Sequence, residues 1–409
     1  MRRVAVTGLG FITSLGQDPR TFFEDLMSGR SGIKRISADF AEGLSVRIAA
    51  EAAFDPLEHF SKKQLNIYDR NVQLSLIAAS SAWKDAGVEL AESEKDTAGV
   101  CFGTGLGGAH ALDDIYLNLY KQGASRVSPL FITKIMCNAP ASYISIKYGL
   151  SGPCLTYSNA CASSALAIGE AYRQIKYGLA DLMLAGGAES VITYGSCKAW
   201  ESLGVLAKED AENPSSSCRP FSKDRTGMVL GEGSGMVVLE NMERAKKRGA
   251  YIYGEISGYG STADANHITS PSPDGQARAI KQALQEASMT ADMIDYINAH
   301  GTATFANDSS ETQAIKKAFG AQAFNVPVSS SKSMIGHLMG AAGAVEFAVA
   351  LLAIRNKAVP PTANLRQPDP DCDLDYVPNE GRTGIDVRAV MSNSFAFGGT
   401  NAVLIARAV

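Results

Sequence analysis

Twice in this 409-residue chain a short apolar run leads through a polar turn into a helical stretch built mostly of alanine, serine and glycine. The first copy is Thr156 to Gly178, entered from Pro153-Cys154-Leu155. The second runs from Val326-Pro327-Val328 through Gly336-His337 into Met339-Gly340-Ala341-Ala342-Gly343-Ala344. Side chains this small cannot fill a core alone. They suit helices pressed against neighbouring backbone at the centre of a fold, where packing is dense. Two such helices imply two related halves that face each other. The rest of the chain fits that frame. Short apolar runs at Arg3–Thr7, Ala98–Phe102, Asp181–Gly187, Gly235–Leu239, Tyr251–Gly260, Tyr296–Ala299 and Val326–Ser330 read as strands. Helical spacing covers Val72–Ala86, Phe131–Gly149, Gln276–Ser288 and Leu338–Arg355. Strands apolar on both faces and alternating with helices predict an α/β fold with mixed sheets buried between helix layers. The pattern restarts near Gly249-Ala250. The predicted division is therefore residues 1–249 and 250–409, with the functional site at their junction.

Cys161 stands at the turn of the first copy. Ser158 or Asn159 is the expected helix N-cap, which puts the thiol at a helix N-terminus, a setting that favours an anion and a nucleophilic thiolate. The other six cysteines lack a strand-to-helix elbow. Seven cysteines without a C-x-x-C pair predict neither a disulfide framework nor a zinc site, and the implied compartment is reducing and cytoplasmic.

Composition narrows the partners. The chain is 45% hydrophobic with net charge −4 and has no block of Lys and Arg, so nucleic acid is not expected. The longest near-apolar run, Met339–Ile354, contains Glu346 and is short for a bilayer span; no membrane insertion is expected. Met1-Arg2-Arg3 and the apolar residues after it read as a first strand, not a leader. Gly103–Gly108 matches G-x-G-x-x-G. The acidic residue that a dinucleotide site wants about twenty positions on is missing, so a glycine turn is the better reading.

A nucleophilic thiol needs partners. Among the five histidines, His300 and His337 each adjoin a glycine just beyond a second-half strand. Two imidazoles opposite a thiol suit thioester chemistry: the thiolate takes an acyl group, and the rings donate hydrogen bonds to an enolate oxygen. Lys332 adds positive charge nearby, with Asp308, Glu311 and Glu346 as candidate partners. The stretch Asn393–Asn401 is a glycine turn that can offer backbone N–H donors, and Phe397 can cover the thiol.

Four motifs in order, Y-S-N-A-C-A-S-S at 157–164, N-A-H-G-T-A-T at 298–304, S-S-K-S-M-I-G-H-L-M-G-A-A-G-A-V-E at 330–346 and N-S-F-A-F-G-G-T-N at 393–401, resemble the β-ketoacyl-acyl carrier protein synthases over essentially the whole chain, most of all the elongating type II enzymes of bacterial fatty-acid synthesis. The resemblance implies a thiolase-type αβαβα fold of two related halves and a cytoplasmic homodimer. It implies that Cys161 is acylated and that His300 and His337 assist malonyl decarboxylation, supported by Lys332 in a salt link with Glu311 or a neighbour. It further implies that Thr302 and Thr304 bind the pantetheine arm and that the N–H groups of Cys161 and Phe397 form an oxyanion hole, with Phe397 as gate. Leu106 and Phe131 would line the acyl tunnel. No cofactor is implied beyond the phosphopantetheine on the acyl carrier protein that delivers the substrates.

Two departures bear on partners. Ala396 stands where the family usually has glycine, which implies a stiffer gating loop. Asn66 and Ile67 replace a basic pair, so carrier docking would lean on Lys62, Lys63 and Lys208. Three other readings share parts of the pattern: a ketosynthase of a polyketide or specialised lipid pathway with a dedicated carrier, a coenzyme A thiolase, and a non-catalytic chain-length subunit. A thiolase would want a second catalytic cysteine near the C-terminus, whereas this chain has His337 in the second-half turn and its last cysteine, Cys372, in an acidic loop; a chain-length subunit would lack Cys161.

Overall fold

A computed structural model describes the whole chain, Met1–Val409. Ten strands form its main sheet: β1 (Val4–Ile12), β2 (Ala98–Gly103), β3 (Cys154–Tyr157), β4 (Leu182–Glu189), β5 (Gly233–Asn241), β6 (Gly254–Ala263), β7 (Tyr296–Asn298), β8 (Val328–Ser329), β9 (Ala389–Phe395) and β10 (Thr400–Arg407). Their spatial order is β8-β7-β9-β10-β6-β1-β5-β4-β2-β3. Read outward from the centre, the first five run 1-5-4-2-3 and the second five 6-10-9-7-8, the same order repeated. Directions repeat as well. In each set the outer three strands are parallel, and the two inner pairings are antiparallel. The sets join where β1 meets β6 antiparallel, Val4 opposite Ile256.

Helices complete five layers. α1 (Arg70–Ala86) covers the outer face of β1, β5 and β4. α2 (Ser163–Lys176) contacts β2 and β4 on one side and β6 and β10 on the other. α3 (Pro273–Ala287) lies on the outer face of β6 and β10, with α4 (Phe305–Phe319) beside it. α5 (Ala342–Asn356) touches β5 as well as β7 and β9. The two small-residue helices are thus the middle layer of an αβαβα stack. One apolar cluster surrounds them, and two more fill the space between each strand set and its outer helices. A side chain at Gly343 would place Cβ 2.8 Å from Ala165 Cβ and 3.0 Å from Ala165 N, so the central helices cross too closely for anything larger. That crossing is why both sequences are rich in Ala, Ser and Gly. By length and composition Met339–Asn356 is apolar enough to cross a bilayer, yet most of it is buried inside the fold.

Three expectations change. Phe131–Gly149 is two helices, Phe131–Ile135 and Ala139–Tyr148. Pro140 has no N–H to continue a helix, and its ring excludes the carbonyl four residues earlier. The strand before Cys161 is not buried: β3 is the sheet edge, with Cys154 and Leu155 exposed. Neither Ser158 nor Asn159 caps α2 through its side chain. A single 3-10 turn, Ala160–Ala162, intervenes, and Ser163 Oγ accepts the Asn159 N–H at 2.8 Å while donating to Ala160 O at 2.7 Å.

Candidate active site

Cys161 lies on that 3-10 turn, between β3 and α2. Ala160 before it has φ of 46°, a left-handed conformation uncommon for a residue with a Cβ. The second half repeats the device. Met339 also has φ of 46°, and a 3-10 turn, Met339–Ala341, precedes α5. The two elbows converge, and the thiol of the first meets a histidine just ahead of the second. Cys161 Sγ is 3.0 Å from His337 Nε2. The His300 ring lies 5.3 Å from that of His337, centroid to centroid, and nearly perpendicular at 83°. All three residues are buried.

Hydrogen bonds settle the tautomers. His337 Nδ1 accepts the Met339 N–H at 3.2 Å, so its proton is on Nε2. His300 Nδ1 faces the Lys332 ammonium at 3.4 Å. An ammonium only donates, so His300 also carries its proton on Nε2. Burial holds both imidazoles well below the usual histidine range, and the Lys332 charge lowers them further; His337 acts on His300 in the same direction. The centre therefore presents two neutral N–H donors. The Sγ atom and ring nitrogens of Cys161, His300 and His337 lie within 4.8 Å of one another, close enough for a shared metal ion. A metal needs a lone pair from each ring, whereas these rings turn N–H groups inward.

Lys332 pairs with Glu346, and each side chain is about 1% exposed; its ammonium also donates to His300 O at 2.6 Å. The other two candidate partners do different work. Glu311 accepts the backbone N–H groups of His300 and Gly301, both at 2.8 Å, and the Asn393 amide at 3.1 Å; burial pushes its carboxyl up to about 7. Asp308 accepts Phe221 N–H at 2.8 Å and Ala303 N–H at 3.2 Å and faces Arg225 at 3.6 Å. These two carboxylates hold the His300 turn by its backbone.

The expectation of a thiol acidified by the helix is corrected. Burial pushes Cys161 up to about 12, against the opposing pull of the Lys332 charge and the Phe397 N–H. Desolvation of a sealed thiolate outweighs a helix end that lies a full 3-10 turn away.

Two cavities meet at Cys161. One contains Thr302, Thr304, Phe395, Phe397, His300 and His337. The threonine hydroxyls are bonded to each other at 2.9 Å, and Thr304 caps α4. Phe397 is partly exposed, its ring 6.0 Å from that of Trp200 and tilted by 28°. Gly398 and Gly399 follow it in left-handed conformations, φ of 87° and 74°. The second cavity, about 160 Å³, is walled by Leu106, Ala160, Val191, Trp200, Met339 and the buried Glu189. Leu106 shares this cavity with Cys161. Phe131 is not among the lining residues of either cavity. The glycine turn is held from inside: Gly105 N–H and Leu106 N–H donate to Glu189 at 2.6 and 3.1 Å. Those are the donors a phosphate would require. Trp200, Met339, Glu189 and the loop Asp264–Pro271, which walls the first cavity, escaped the sequence reading. For Glu189 a signal existed, since an acid that ends an apolar strand is rarely buried without work to do. Lys62 and Lys63 are exposed on the helix Lys62–Ile67, and Lys208 is exposed at residue 208.

Residues 1–245 match the family model of the β-ketoacyl synthase N-terminal domain, and residues 253–366 match that of the C-terminal domain. The 3-oxoacyl-[acyl-carrier-protein] synthase 2 of Coxiella burnetii is 42% identical over 99% of this chain and 98% of its own. Nodulation protein E of Rhizobium meliloti is 43% identical over 98% of both. Among solved structures, a β-ketoacyl synthase from Burkholderia phymatum superposes with a TM-score of 0.92 at 37% identity, covering 100% of each chain. A type II polyketide ketosynthase, solved with its acyl-carrier protein and bound to a hexaketide, gives 0.90 at 34% over the full length of both chains.

Proposed function

The chain belongs to the β-ketoacyl synthase family, and from that premise we propose that its buried centre joins an acyl group on Cys161 to a malonyl unit on an acyl carrier protein, in the elongation of fatty-acid chains. The observation that carries the mechanism is the pair of neutral Nε2–H donors on His300 and His337 beside the thiol.

The first half-reaction forms the Cys161 Sγ–acyl bond and breaks the carrier thioester. The proton lost by the thiol ends on the departing pantetheine sulfur. Charge on the acyl oxygen is met by the N–H groups of Cys161 and Phe397, a preorganised pair of donors. In the second half-reaction the malonyl C–CO2 bond breaks and carbon dioxide leaves. The electron pair becomes an enolate whose oxygen accepts from His300 and His337. The enolate carbon attacks the acyl carbonyl, and the Cys161 thiolate departs and takes up one proton from solvent to return to the thiol. The products are a carrier-bound 3-oxoacyl group, carbon dioxide and the free enzyme. A neutral ring suits this role because it donates without drawing a full counter-charge into a sealed site. Thr302 and Thr304 hold the pantetheine arm, and Lys332 keeps His300 in the donating tautomer.

The acyl chain runs into the cavity behind Leu106 and Trp200. Leu106 is 55% exposed although it lines that cavity, and Leu155 on the open edge β3 and Ile146 on the helix packed beside it are exposed too. An unpaired apolar edge is a template for another strand. This supports a homodimer in which a second copy pairs at β3 and closes the tunnel. Carrier docking falls to Lys62, Lys63 and Lys208, and the working compartment is the cytoplasm. The polyketide ketosynthase solved with its own acyl-carrier protein, alike over the full chain, favours a second reading, the same chemistry in a polyketide or specialised lipid pathway with a dedicated carrier.

The test uses Cys161→Ala with acyl-carrier and malonyl-carrier, following enzyme mass and carbon dioxide. The variant should take no acyl group yet still release carbon dioxide, because its enolate donors remain. Full elongation by the variant would remove Cys161 from the mechanism. A product profile with housekeeping and dedicated carriers separates the two pathways.

A further inference from the structure

Gln276 lies in the first turns of α3, four residues after its N-cap Ser272. It is fully buried, and neither its side-chain oxygen nor its side-chain nitrogen has a hydrogen-bond partner. Most buried polar groups are paired, and each exception asks for a reason. Its position supplies one. Gln276 lines the cavity that holds Cys161, Thr302 and Thr304.

The base of this side chain is rigid. A Cβ at Gly260 of β6 would come within 2.0 Å of Ala279 O, and one at Gly258 within 2.2 Å of Ala283 O, so α3 rests directly on strand backbone. The segment beside it is tied to the Phe397 turn: Asp264 N–H donates to Gly399 O at 2.8 Å, Asn401 Nδ2 to Asp264 Oδ1 at 2.7 Å, and Gly398 N–H to Ile268 O at 2.7 Å. These bonds satisfy the neighbouring polar groups and leave Gln276 out.

We propose that Gln276 is a positioning residue for the pantetheine arm, its carboxamide pairing with an amide of the arm as the thioester enters. A carboxamide offers one acceptor and two donors. It is complementary to the C=O and N–H of a secondary amide, and the pantetheine arm carries two of these in series. A hydrocarbon wall would seal the empty cavity better; an amide is the better lining only when an amide arrives. The inference rests on the reading that substrates come on such an arm.

The experiment compares wild type with Gln276→Leu, with Gln276→Met as a second variant should the first not fold. Single-turnover acylation of Cys161 is measured with a pantetheine thioester and with an S-propyl thioester of the same acyl group, which has no amide. The expected result is a fall of about ten-fold in preference for pantetheine over S-propyl, read in apparent affinity, the loss of one or two net hydrogen bonds. The unliganded variant should at the same time melt at a higher temperature, since an unpaired buried polar group has been replaced by an apolar one. A role in structure alone would lower stability and affect both thioesters alike. Wild type acylated normally with an unchanged preference in the variant overturns the role of Gln276. A wild type that takes neither carrier nor pantetheine thioesters overturns the functional reading beneath it as well.

Discussion

Lys332→Met separates what the buried ion pair does for stability from what it does for His300. Both Lys332 and Glu346 are about 1% exposed. Removing one partner of such a pair leaves a charge without compensation and costs about 3–5 kcal/mol. That loss should appear as a lower urea midpoint, read by tryptophan fluorescence. It also carries a pH signature. In the native protein burial raises the Glu346 carboxyl and Lys332 opposes the rise. Without the lysine only the raising influence remains. A carboxyl whose folded pKa exceeds its unfolded one contributes stability at acid pH and loses it as pH climbs through the folded value. The deficit should therefore be larger at pH 8 than at pH 5.5. The double variant Lys332→Met/Glu346→Leu removes both charges and should regain stability, because apolar replacement of a buried pair is often neutral or favourable. Decarboxylation should stay impaired in both variants. His300 Nδ1 has lost the ammonium 3.4 Å away that selects its tautomer, and one misdirected donor is worth on the order of 10²–10³ in rate. The assay is carbon dioxide release from malonyl-carrier. A double variant that regains decarboxylation along with stability would refute the link between Lys332 and the imidazole. A single variant as stable as wild type would refute the ion-pair reasoning.

His300→Ala and His337→Ala should each keep acylation, seen as a mass increase, and slow condensation by on the order of 10²–10³, one donor each. Leu106→Phe adds bulk to the wall of the 160 Å³ cavity and should shorten the longest accepted primer, since overpacking costs about 1–3 kcal/mol; an unchanged length profile would mean that the chain takes another route. Lys62→Glu, Lys63→Glu or Lys208→Glu should weaken use of carrier thioesters more than of pantetheine thioesters, with the effect shrinking in high salt; equal loss on both substrates would move the docking surface elsewhere.

How far these residues could be read beforehand depends on distance along the chain. Cys161, His300 and His337 stand out because each sits at a short strand's end beside glycine or alanine, and local spacing records that. The echo between the two small-residue elbows is legible for the same reason, whereas the order of strands in the sheet depends on long-range pairing. The partner of Lys332 is not: Asp308, Glu311 and Glu346 are equally plausible on paper, and only the packing of α5 selects Glu346. Burial is likewise a property of the assembled layers, which is why the Cys161 thiol rises where its position near a helix start argues for a fall. Trp200 and Gln276 reach the cavities from segments that carry no motif. The break before Ala139–Tyr148 is a different case, because Pro140 was in plain view and apolar periodicity masked it.

The close crossing of α2 and α5 limits how this chain can diversify. Where Gly343 faces Ala165, even one added methyl group has no room, so inherited variation cannot widen the middle layer to admit a longer or bulkier acyl chain. On the tunnel path proposed above, new product lengths would arise from changes in Leu106, Val191, Trp200 and Met339, whose side chains wall the cavity beside that layer. A lineage with this architecture can acquire a new lipid by a few substitutions at the wall while the crossing helices and the elbow that carries the thiol stay as they are. Relatives of opposite specificity should then differ most at those wall positions and least along the helix crossing.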